Sequence, residues 1–191
     1  MNHKDTSLIE TKRLILRKFK ISDANDVFKN WGSDTKVNKY LSWKTHESVK
    51  DAEEIINLWI SQYDEDTYNW VIVLKDINEA IGNISIVKLE EKNEACEIGY
   101  CISSKYWNKG ITTEAFKAVI KYLFEEVKLN RICAKHDVDN VSSGRVMQKC
   151  GMTYEGTLRE VQIRNNRVCS LAVYSILKRE WIDNEKQNGC Y

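Results

Sequence analysis

The sequence predicts a mixed α/β fold with one sheet, and two features of the chain indicate it. The first is an amphipathic helix from Ala115 onward, whose apolar residues recur at the spacing of one buried helical face. They are Phe116, Val119, Ile120, Leu123, Phe124 and Val127. The second is a set of short apolar runs, typical of strands, that occur both before and after this helix. Strands on both sides of one central helix, with two further helices after the first strand, predict a mixed sheet.

The predicted elements follow one another in a simple order. Before the central helix we predict a strand at residues 13–17, a helix from Ser22 or Asp23 to Asn30, a helix at 48–63, and strands at 70–74, 80–89 and 95–103. After it we predict a strand at 131–136, a helix at 142–150 that Gly151 ends, and strands at 154–163 and 168–177 around a turn at 165–167. Residues 183–191 are polar, and we expect a frayed tail.

Length and composition indicate a single globular domain. The chain has 191 residues, of which 42% are hydrophobic and 30% are charged. A formal net charge of +1 does not favour nucleic acid or a membrane surface as a partner. No apolar run approaches the about 18 residues of a membrane span, and the polar start is not a signal peptide. We therefore expect a cytoplasmic protein.

Cysteine and histidine usage does not indicate a metal site. The chain has six cysteines without a C-x-x-C pair, which favours free thiols in a reducing compartment. His136 stands close to Asp137 and Asp139, but this spacing is not that of an established ligand set. We predict no bound metal and no catalytic role for His136.

The stretch 106–115, Tyr-Trp-Asn-Lys-Gly-Ile-Thr-Thr-Glu-Ala, joins a predicted strand to the central helix. Unpaired N–H groups at a helix start form an anion site, and Gly110 lets the backbone approach a bulky ligand. The stretch therefore predicts a site for a phosphate or a pyrophosphate. It is not a P-loop, because Lys109 precedes Gly110 and the upstream glycine is missing, and the dinucleotide pattern G-x-G-x-x-G is absent.

This loop resembles the acetyl-CoA pyrophosphate loop of the GNAT acetyltransferases, Gln/Arg-x-x-Gly-x-Gly/Ala. It is most similar to the RimJ/RimL-like branch, where the loop commonly reads Tyr-Trp-Gly-Lys-Gly-Tyr-Ala-Thr-Glu-Ala. Trp107 takes the Gln/Arg position, Gly110 matches the central glycine, and Thr112 stands where Gly or Ala is usual. Further similar stretches lie at 23–40, at 140–152 (Asn-x-x-Ser-x-x-Val-x-x-Lys-x-Gly-Met) and at 154–159 with 173–177. The resemblance covers about 12–181, and Ser170 departs from it where related sequences often have Asp.

The resemblance implies a mostly antiparallel central sheet of about seven strands flanked by helices. It implies one N-acetyltransferase domain over 1–191, with a core at about 12–182, acting as a monomer or a homodimer. The implied reaction moves an acetyl group directly from acetyl-CoA to a primary amine, and the branch suggests a protein N-terminus as the acceptor. An amino acid, a polyamine or an antibiotic are alternative acceptors. A non-catalytic CoA-binding sensor is an alternative of another class, and a phosphotransferase is a third.

Two residues are candidates for the chemistry of acetyl transfer. Glu97 lies in the strand that runs beside the acetyl group in GNAT enzymes, so it is the candidate general base; alternatively its side of the strand faces solvent or an arginine. Ser143 matches the serine of the family's Asn-x-x-Ser and is the candidate donor of a proton to the leaving thiolate; alternatively Asn140, Ser142 and Ser143 only cap a helix. Tyr174 matches a frequent family tyrosine, but a strand tyrosine is more typical of a core.

The resemblance also implies how the two substrates are held. Backbone groups near Ile102 and Ser103 would bond the pantetheine arm and polarise the thioester carbonyl. The residues implied to bind acetyl-CoA are Ile102, Ser103, Asn108, Lys109, Gly110, Ile111, Thr112, Thr113, Asn140 and Ser143. Tyr40 and Trp43 are candidates for the roof of the acceptor site, since aromatic faces hold cations and apolar groups alike. Alternatively, both pack as core residues.

Overall fold

The computed structural model describes residues 1–63, 67–164 and 166–188. The described chain contains one eight-stranded sheet with the order β1-β2-β3-β4-β5-β6-β8-β7. Its strands are β1 Ile9–Glu10, β2 Leu14–Arg17, β3 Asn69–Leu74, β4 Glu79–Glu90, β5 Ala95–Ile102, β6 Arg131–Asp137, β7 Thr153–Arg164 and β8 Arg167–Leu177. Neighbouring strands are antiparallel except β5 and β6, which are parallel. The predicted mixed, mostly antiparallel fold is therefore confirmed, with one strand more than expected.

Six α-helices surround this sheet in the described residues: α1 Ala24–Val27, α2 Thr35–Asn38, α3 Val49–Ser61, α4 Ile111–Glu125, α5 Val141–Lys149 and α6 Lys178–Asn188. The start of α3 is a capping box, in which Ser48 accepts from the amide of Asp51 and Asp51 accepts from the amide of Ser48. Gly151, with φ of 81°, follows the end of α5, as predicted. No helix in the described residues is long and apolar enough to cross a membrane.

Each face of the sheet packs against its own layer of helices. The apolar face of α4, which includes Phe116, Val119 and Leu123, packs on one face of the sheet with Trp70 and Ile98. Residues of α1 and α3 pack on the other face; they include Val27, Ala52 and Ile56. Because consecutive strand residues point to opposite faces, β3 is buried along nearly its whole length, with Trp70 in one core and Val71 in the other.

Two parts of the chain differ from the expectations from sequence. The helix expected at 22–30 is divided into a short 3₁₀ turn, α1 and a π-helical segment Phe28–Gly32. Phe28 and Trp31 pack in the second core, so tertiary packing overrides regular helix geometry there. The tail expected to fray from Asp183 is helical through Asn188 in α6. Residues 189–191, and Asn165 of the expected turn, lie outside the described residues.

Strands β5 and β6 separate towards their carboxyl ends. Their paired residues run from Ala95 with Arg131 to Ile98 with Ala134, and no pair follows. Beyond this point β5 remains paired with β4 as far as Ile102, and β6 remains paired with β8 as far as Asp137. The sheet therefore opens into a gap between residues 99–102 and 135–137, and the candidate site lies around this gap.

Candidate active site

The loop between β5 and α4 presents the start of α4 to the open side of the gap. Asn108 and Gly110 have φ of 60° and 73°, a left-handed conformation that Gly adopts freely and Asn tolerates. The first bond of the helix runs from the amide of Glu114 to the carbonyl of Gly110 at 3.0 Å. No described residue accepts a hydrogen bond from the amides of Ile111, Thr112 and Thr113. Three free N–H groups at a helix start attract an anion.

An ion pair between Arg13 and Glu114 connects the segment just before β2 to this loop and to the start of α4. The Nε of Arg13 donates to Glu114 Oε2 at 2.6 Å, and its Nη1 donates to the carbonyl of Lys109 at 3.0 Å. Thr11 and the Arg13 amide donate to the other oxygen of Glu114. Burial acts to raise the pKa of Glu114, but these bonds from Thr11 and Arg13 outweigh it and lower the pKa. The carboxylate thus stays charged, and its bonds to Thr11 and Arg13 hold the start of α4 in place.

The end of β5 carries two polar groups that matter to the gap. The Ile102 carbonyl accepts a bond from the indole Nε1 of Trp107 at 3.0 Å. Trp107 stands at the Gln/Arg position of the family loop, so in this chain the side chain at that position donates to the carbonyl at the end of β5. Ser103 is fully buried, its amide donates to the carbonyl of Ile81 at 2.8 Å, and its hydroxyl has no partner among the described residues. A buried hydroxyl without a partner is costly and suits a polar ligand group.

Asn140 and Ser143 lie at the start of α5, on the opposite side of the gap. Asn140 Oδ1 accepts from the Ser143 amide at 3.3 Å, so Asn140 caps the helix. The Ser143 hydroxyl contacts the hydroxyl of Tyr100 at 2.9 Å, and Tyr100 Oη also lies 3.1 Å from the Ser143 carbonyl. Tyr100 therefore connects β5 to α5 across the gap. No sequence motif indicated Tyr100, because its partner lies 43 residues away along the chain.

Glu97 lies on the other face of the sheet from Tyr100. Cys96 and Ile98 point into the core beneath α4, so Glu97 between them points to the opposite face. Its carboxylate accepts a bond from Lys135 Nζ at 2.7 Å, and the side chains are 21% and 30% exposed, respectively. The pair borders a groove of about 460 Å³ that also contains Cys133 and Arg131. Glu97 thus pairs with a lysine. The alternative hypothesis from the sequence was that this side of the strand faces solvent or an arginine.

Tyr40 lies near the end of β6, whereas Trp43 lies against the second core. The hydroxyl of Tyr40 is 3.5 Å from the carbonyl of Asp139, and the carbonyl of Tyr40 accepts from Arg164 Nη1 at 2.6 Å. Trp43 is half-buried, packs against the second core and contacts His46 in a tilted arrangement, with ring centroids 5.4 Å apart. Tyr40 thus contacts the chain just past the gap, whereas Trp43 is mainly a packing residue.

His136 lies on β6 beside the gap, where it is 8% exposed and packs on Tyr174. Its Nδ1 lies 2.7 Å from the carbonyl of Asp137, and because a carbonyl only accepts, Nδ1 carries the proton. Asp137 and Asp139 both pair with Arg167. Within the described residues, no group of three His, Cys, Asp or Glu side chains has the arrangement of a metal site.

The structure places the predicted residues in three groups around one gap, except Trp43, which packs against the second core. The loop residues Asn108 to Thr113 stand at the open end. Ile102, Asn140 and Ser143 border the face beneath α4 and α5, Ser103 follows the end of β5, and Glu97 lies on the other face. The side chain of Lys109 lies over the Tyr106 ring, 5.2 Å from its centroid. Arg13 and Glu114 were missed from the sequence; the only signal was an acidic residue in the first turn of α4.

A mostly antiparallel sheet with a free helix start after one of its strands is the arrangement that the resemblance to the acetyltransferases implied, and comparison with known proteins identifies the same class of acyl-transferring proteins. The family model described as an acetyltransferase (GNAT) domain matches residues 13–153. The chain therefore belongs to the GNAT acetyltransferase family, and the predicted acyltransferase is confirmed.

Particular relatives agree with this assignment. The chain is 34% identical over 172 residues to the uncharacterized N-acetyltransferase YoaA of Bacillus subtilis (strain 168), a match that covers 90% of this chain and 97% of YoaA. It is 25% identical over 142 residues to the ribosomal-protein-serine acetyltransferase of Escherichia coli (strain K12), covering 74% and 79% of the two chains. A crystal structure of a GNAT-family acetyltransferase from Bacillus anthracis superposes with a TM-score of 0.80 at 32% identity, covering 91% of this chain and 99% of that one. The similarity to the ribosomal-protein branch is thus also confirmed.

Proposed function

We propose that this protein transfers an acetyl group from acetyl-CoA directly to a primary amine. The observation that carries the proposal is the gap between β5 and β6, which opens after Ile98 and Ala134 beside the free start of α4. A long, thin substrate with a diphosphate at one end matches this arrangement. The diphosphate would rest on the amides of Ile111, Thr112 and Thr113, and the pantetheine arm would enter the gap.

Polar groups along the gap fit the amides of a pantetheine arm. Ile102 lies at the end of β5 with its backbone beside the gap; the Ser103 amide already donates to Ile81, but the buried Ser103 hydroxyl has no partner among the described residues. Across the gap, Asn140 uses its carbonyl oxygen as the cap of α5, which leaves its amide group for a ligand. Thr112 adds a hydroxyl donor at the helix start, where the family usually has Gly or Ala. These groups support acetyl-CoA as the donor substrate.

The positions of Glu97 and Ser143 suit attack from one side and departure on the other. In the reaction, the amine nitrogen bonds to the thioester carbon, the C–S bond breaks, and the sulfur keeps the electron pair. Glu97 would accept the proton lost by the amine, either directly or through water, and Ser143 would give a proton to the thiolate. Since the two residues lie on opposite faces of the sheet, Glu97 would not block the thiolate and Ser143 would not block the amine. Positioning of both substrates supplies up to about 7–11 kcal/mol of the barrier reduction.

The cysteines near the gap favour direct transfer over an acyl-cysteine intermediate. Burial raises the pKa of Cys101 to about 12, and its thiol donates to Asn83. Burial also raises the pKa of Cys133, beside Glu97. The nucleophilic form of cysteine is the thiolate, so neither thiol is activated at neutral pH.

We propose a protein N-terminus as the acceptor and the cytoplasm as the place of action. Support comes from the relationship to the E. coli ribosomal-protein-serine acetyltransferase, whose name gives a ribosomal protein as substrate. The groove next to Glu97 is open and contains both acidic and basic side chains, which suits a peptide main chain. The acting unit would be a single domain over about 12–182, as a monomer or a homodimer.

Two measurements test the proposal. Acetyl-CoA at 100 times its Kd should stabilise the protein by about 2.7 kcal/mol and raise its Tm by roughly 5–10 °C, with a much smaller effect of ATP or NAD. Equal stabilisation by all three would contradict a specific acetyl-CoA site. A screen of acetyl-CoA consumption against N-terminal peptides, amino acids and polyamines should then show turnover with peptides. Binding without turnover on any amine would instead indicate a CoA sensor.

A further inference from the structure

Tyr100 occupies a position at the gap that its sequence environment does not explain. It lies in β5 opposite Ile84 of β4, two residues after the last pair between β5 and β6. Its ring packs on Phe116 of α4, with centroids 5.2 Å apart. An apolar ring in this place would pack equally well, so the hydroxyl needs a separate explanation.

The hydroxyl of Tyr100 contacts only Ser143 among the described residues, at Oγ and at the carbonyl oxygen. The main chain of Ser143 is already held, because its amide donates to Asn140. The remaining freedom is the rotation of the Ser143 hydroxyl, and Tyr100 is the group that restricts it. The contact therefore acts on the orientation of one proton more than on the position of the helix.

A count of protons gives two arrangements of these hydroxyls. Tyr100 has one proton, a carbonyl oxygen only accepts, and a serine hydroxyl both donates and accepts. If Tyr100 donates to the carbonyl, the Ser143 proton points back at Tyr100 and is not free. If Tyr100 donates to Ser143 Oγ, the Ser143 proton is free to point into the gap. Burial raises the pKa of the Tyr100 hydroxyl, which keeps it a donor throughout the physiological pH range.

We propose that Tyr100 is a positioning residue whose hydroxyl donates to Ser143 Oγ and thereby directs the Ser143 proton at the leaving sulfur. This inference rests on the proposed acetyl transfer. As the C–S bond breaks, the sulfur gains an electron pair and takes the Ser143 proton, giving the free thiol. In the same step Ser143 regains a proton, the one that the amine gives to Glu97 and that returns through water, and the bond from Tyr100 stabilises the partial negative charge on Ser143 Oγ meanwhile.

The direct test is Tyr100→Phe, which removes the hydroxyl and keeps the ring on Phe116. We expect kcat to fall about tenfold, while the KM for acetyl-CoA stays within twofold. This loss is smaller than the rate enhancement of about 10²–10⁴-fold that a positioned acid itself provides. Tyr122→Phe is the matched control, because the Tyr122 hydroxyl bonds Asp5 and Ser7 in the irregular segment before β1. Its kcat should equal that of the wild type. Wild-type kcat in a folded Tyr100→Phe would overturn the inference.

A double-mutant cycle separates positioning from a structural role. If Tyr100 acts through Ser143, Tyr100→Phe has no further effect on kcat once Ser143 is Ala. If Tyr100 only supports the fold, the two losses multiply, and this result overturns the inference. The proposed function fails separately: a wild-type protein that binds acetyl-CoA but acetylates no amine would contradict acetyl transfer itself, and the role of Tyr100 with it. An active wild type with an unaffected Tyr100→Phe contradicts only the role of Tyr100.

Discussion

The Nε2 atom of His136 lies 2.6 Å from the point where a Cβ on Gly144 would stand. Real Cβ atoms do not come so close to another atom, so Gly144 is required by the ring of His136. The ring has little freedom to retreat, because its Nδ1 bonds the carbonyl of Asp137 and its face packs on Tyr174. The glycine that follows Ser143 thus lets α5 approach β6 at the edge of the gap.

Gly144→Ala should therefore destabilise the protein, although alanine favours helices. Alanine gains about 1 kcal/mol of helix propensity over glycine, whereas overpacking typically costs about 1–3 kcal/mol. We expect a net loss of about 1 kcal/mol in the free energy of unfolding, from urea denaturation. The matched control is Gly144→Ala in a His136→Ala protein, where the clash is absent and alanine should be neutral or stabilising. Destabilisation of similar size in both backgrounds would contradict the explanation.

Local patterns were sufficient to predict much of the fold. The period of the apolar residues in α4 predicted its buried face, and Ser48, Asn140 and Gly151 predicted helix ends that the structure contains. Such signals are carried by residues three or four apart, so a single sequence displays them. The π-helical segment Phe28–Gly32 was not predictable, because packing of Trp31 in the core decides its geometry.

The arrangement of the site depends on contacts between distant residues, and these leave no periodic signal. Arg13 pairs with Glu114 across 101 residues, and Tyr100 meets Ser143 across 43. The separation of β5 and β6 likewise depends on contacts with other parts of the chain, because their ends remain paired with β4 and β8. The resemblance to a family indicated which residues to inspect, whereas only the structure shows that Trp107 bonds the end of β5.

Substitution of Gly110 should distinguish charge from backbone strain at the start of α4. Gly110→Asp and Gly110→Asn both add a side chain at φ of 73°, and the nearest atom to a Cβ there is Arg13 Nη2 at 3.7 Å, so both fit. Asn tolerates this conformation, so acetyl-CoA affinity should fall only a few-fold. The carboxylate of Asp would repel the diphosphate, and affinity should fall at least about tenfold. Equal affinities by calorimetry would show that the anion binds elsewhere.

Glu155 should make a pH-dependent contribution to stability. Hydrogen bonds from Arg131 and then Ser175 lower the pKa of Glu155 from its ordinary 4.5 to about 2. The folded state therefore favours the charged carboxylate, and the stabilisation is present above pH 4.5 and is lost as the pH falls towards 2. The Glu155 side chain is 39% exposed, so solvent screening reduces the gain to about 1 kcal/mol.

This contribution is measured by comparing the wild type with Glu155→Gln in urea at several pH values. The difference in unfolding free energy should be constant near neutral pH and should disappear towards pH 2. Glu53→Gln, on the exposed side of α3, is the control and should show no such difference. A difference independent of pH would mean that Glu155 contributes through packing alone.

Glu97 and Lys135 provide the test of the proposed base. If Glu97 accepts the amine proton, Glu97→Gln keeps the size of the side chain, removes the base and lowers kcat by about 10²-fold or more at pH 7. Binding of acetyl-CoA should change little. The loss should be milder at higher pH, because amines with a pKa near about 10 are then increasingly neutral without a base.

Lys135→Met is the matched control, because it breaks the same 2.7 Å ion pair and leaves the carboxylate in place. If the pair is only structural, both substitutions should reduce stability alike and leave kcat similar, since a partly exposed pair contributes about 0.2–1 kcal/mol. If Glu97 is the base, kcat should fall strongly in Glu97→Gln but not in Lys135→Met. Near-wild-type kcat for Glu97→Gln at pH 7 would remove Glu97 from the mechanism. Positioning and an already neutral amine would then account for the rate.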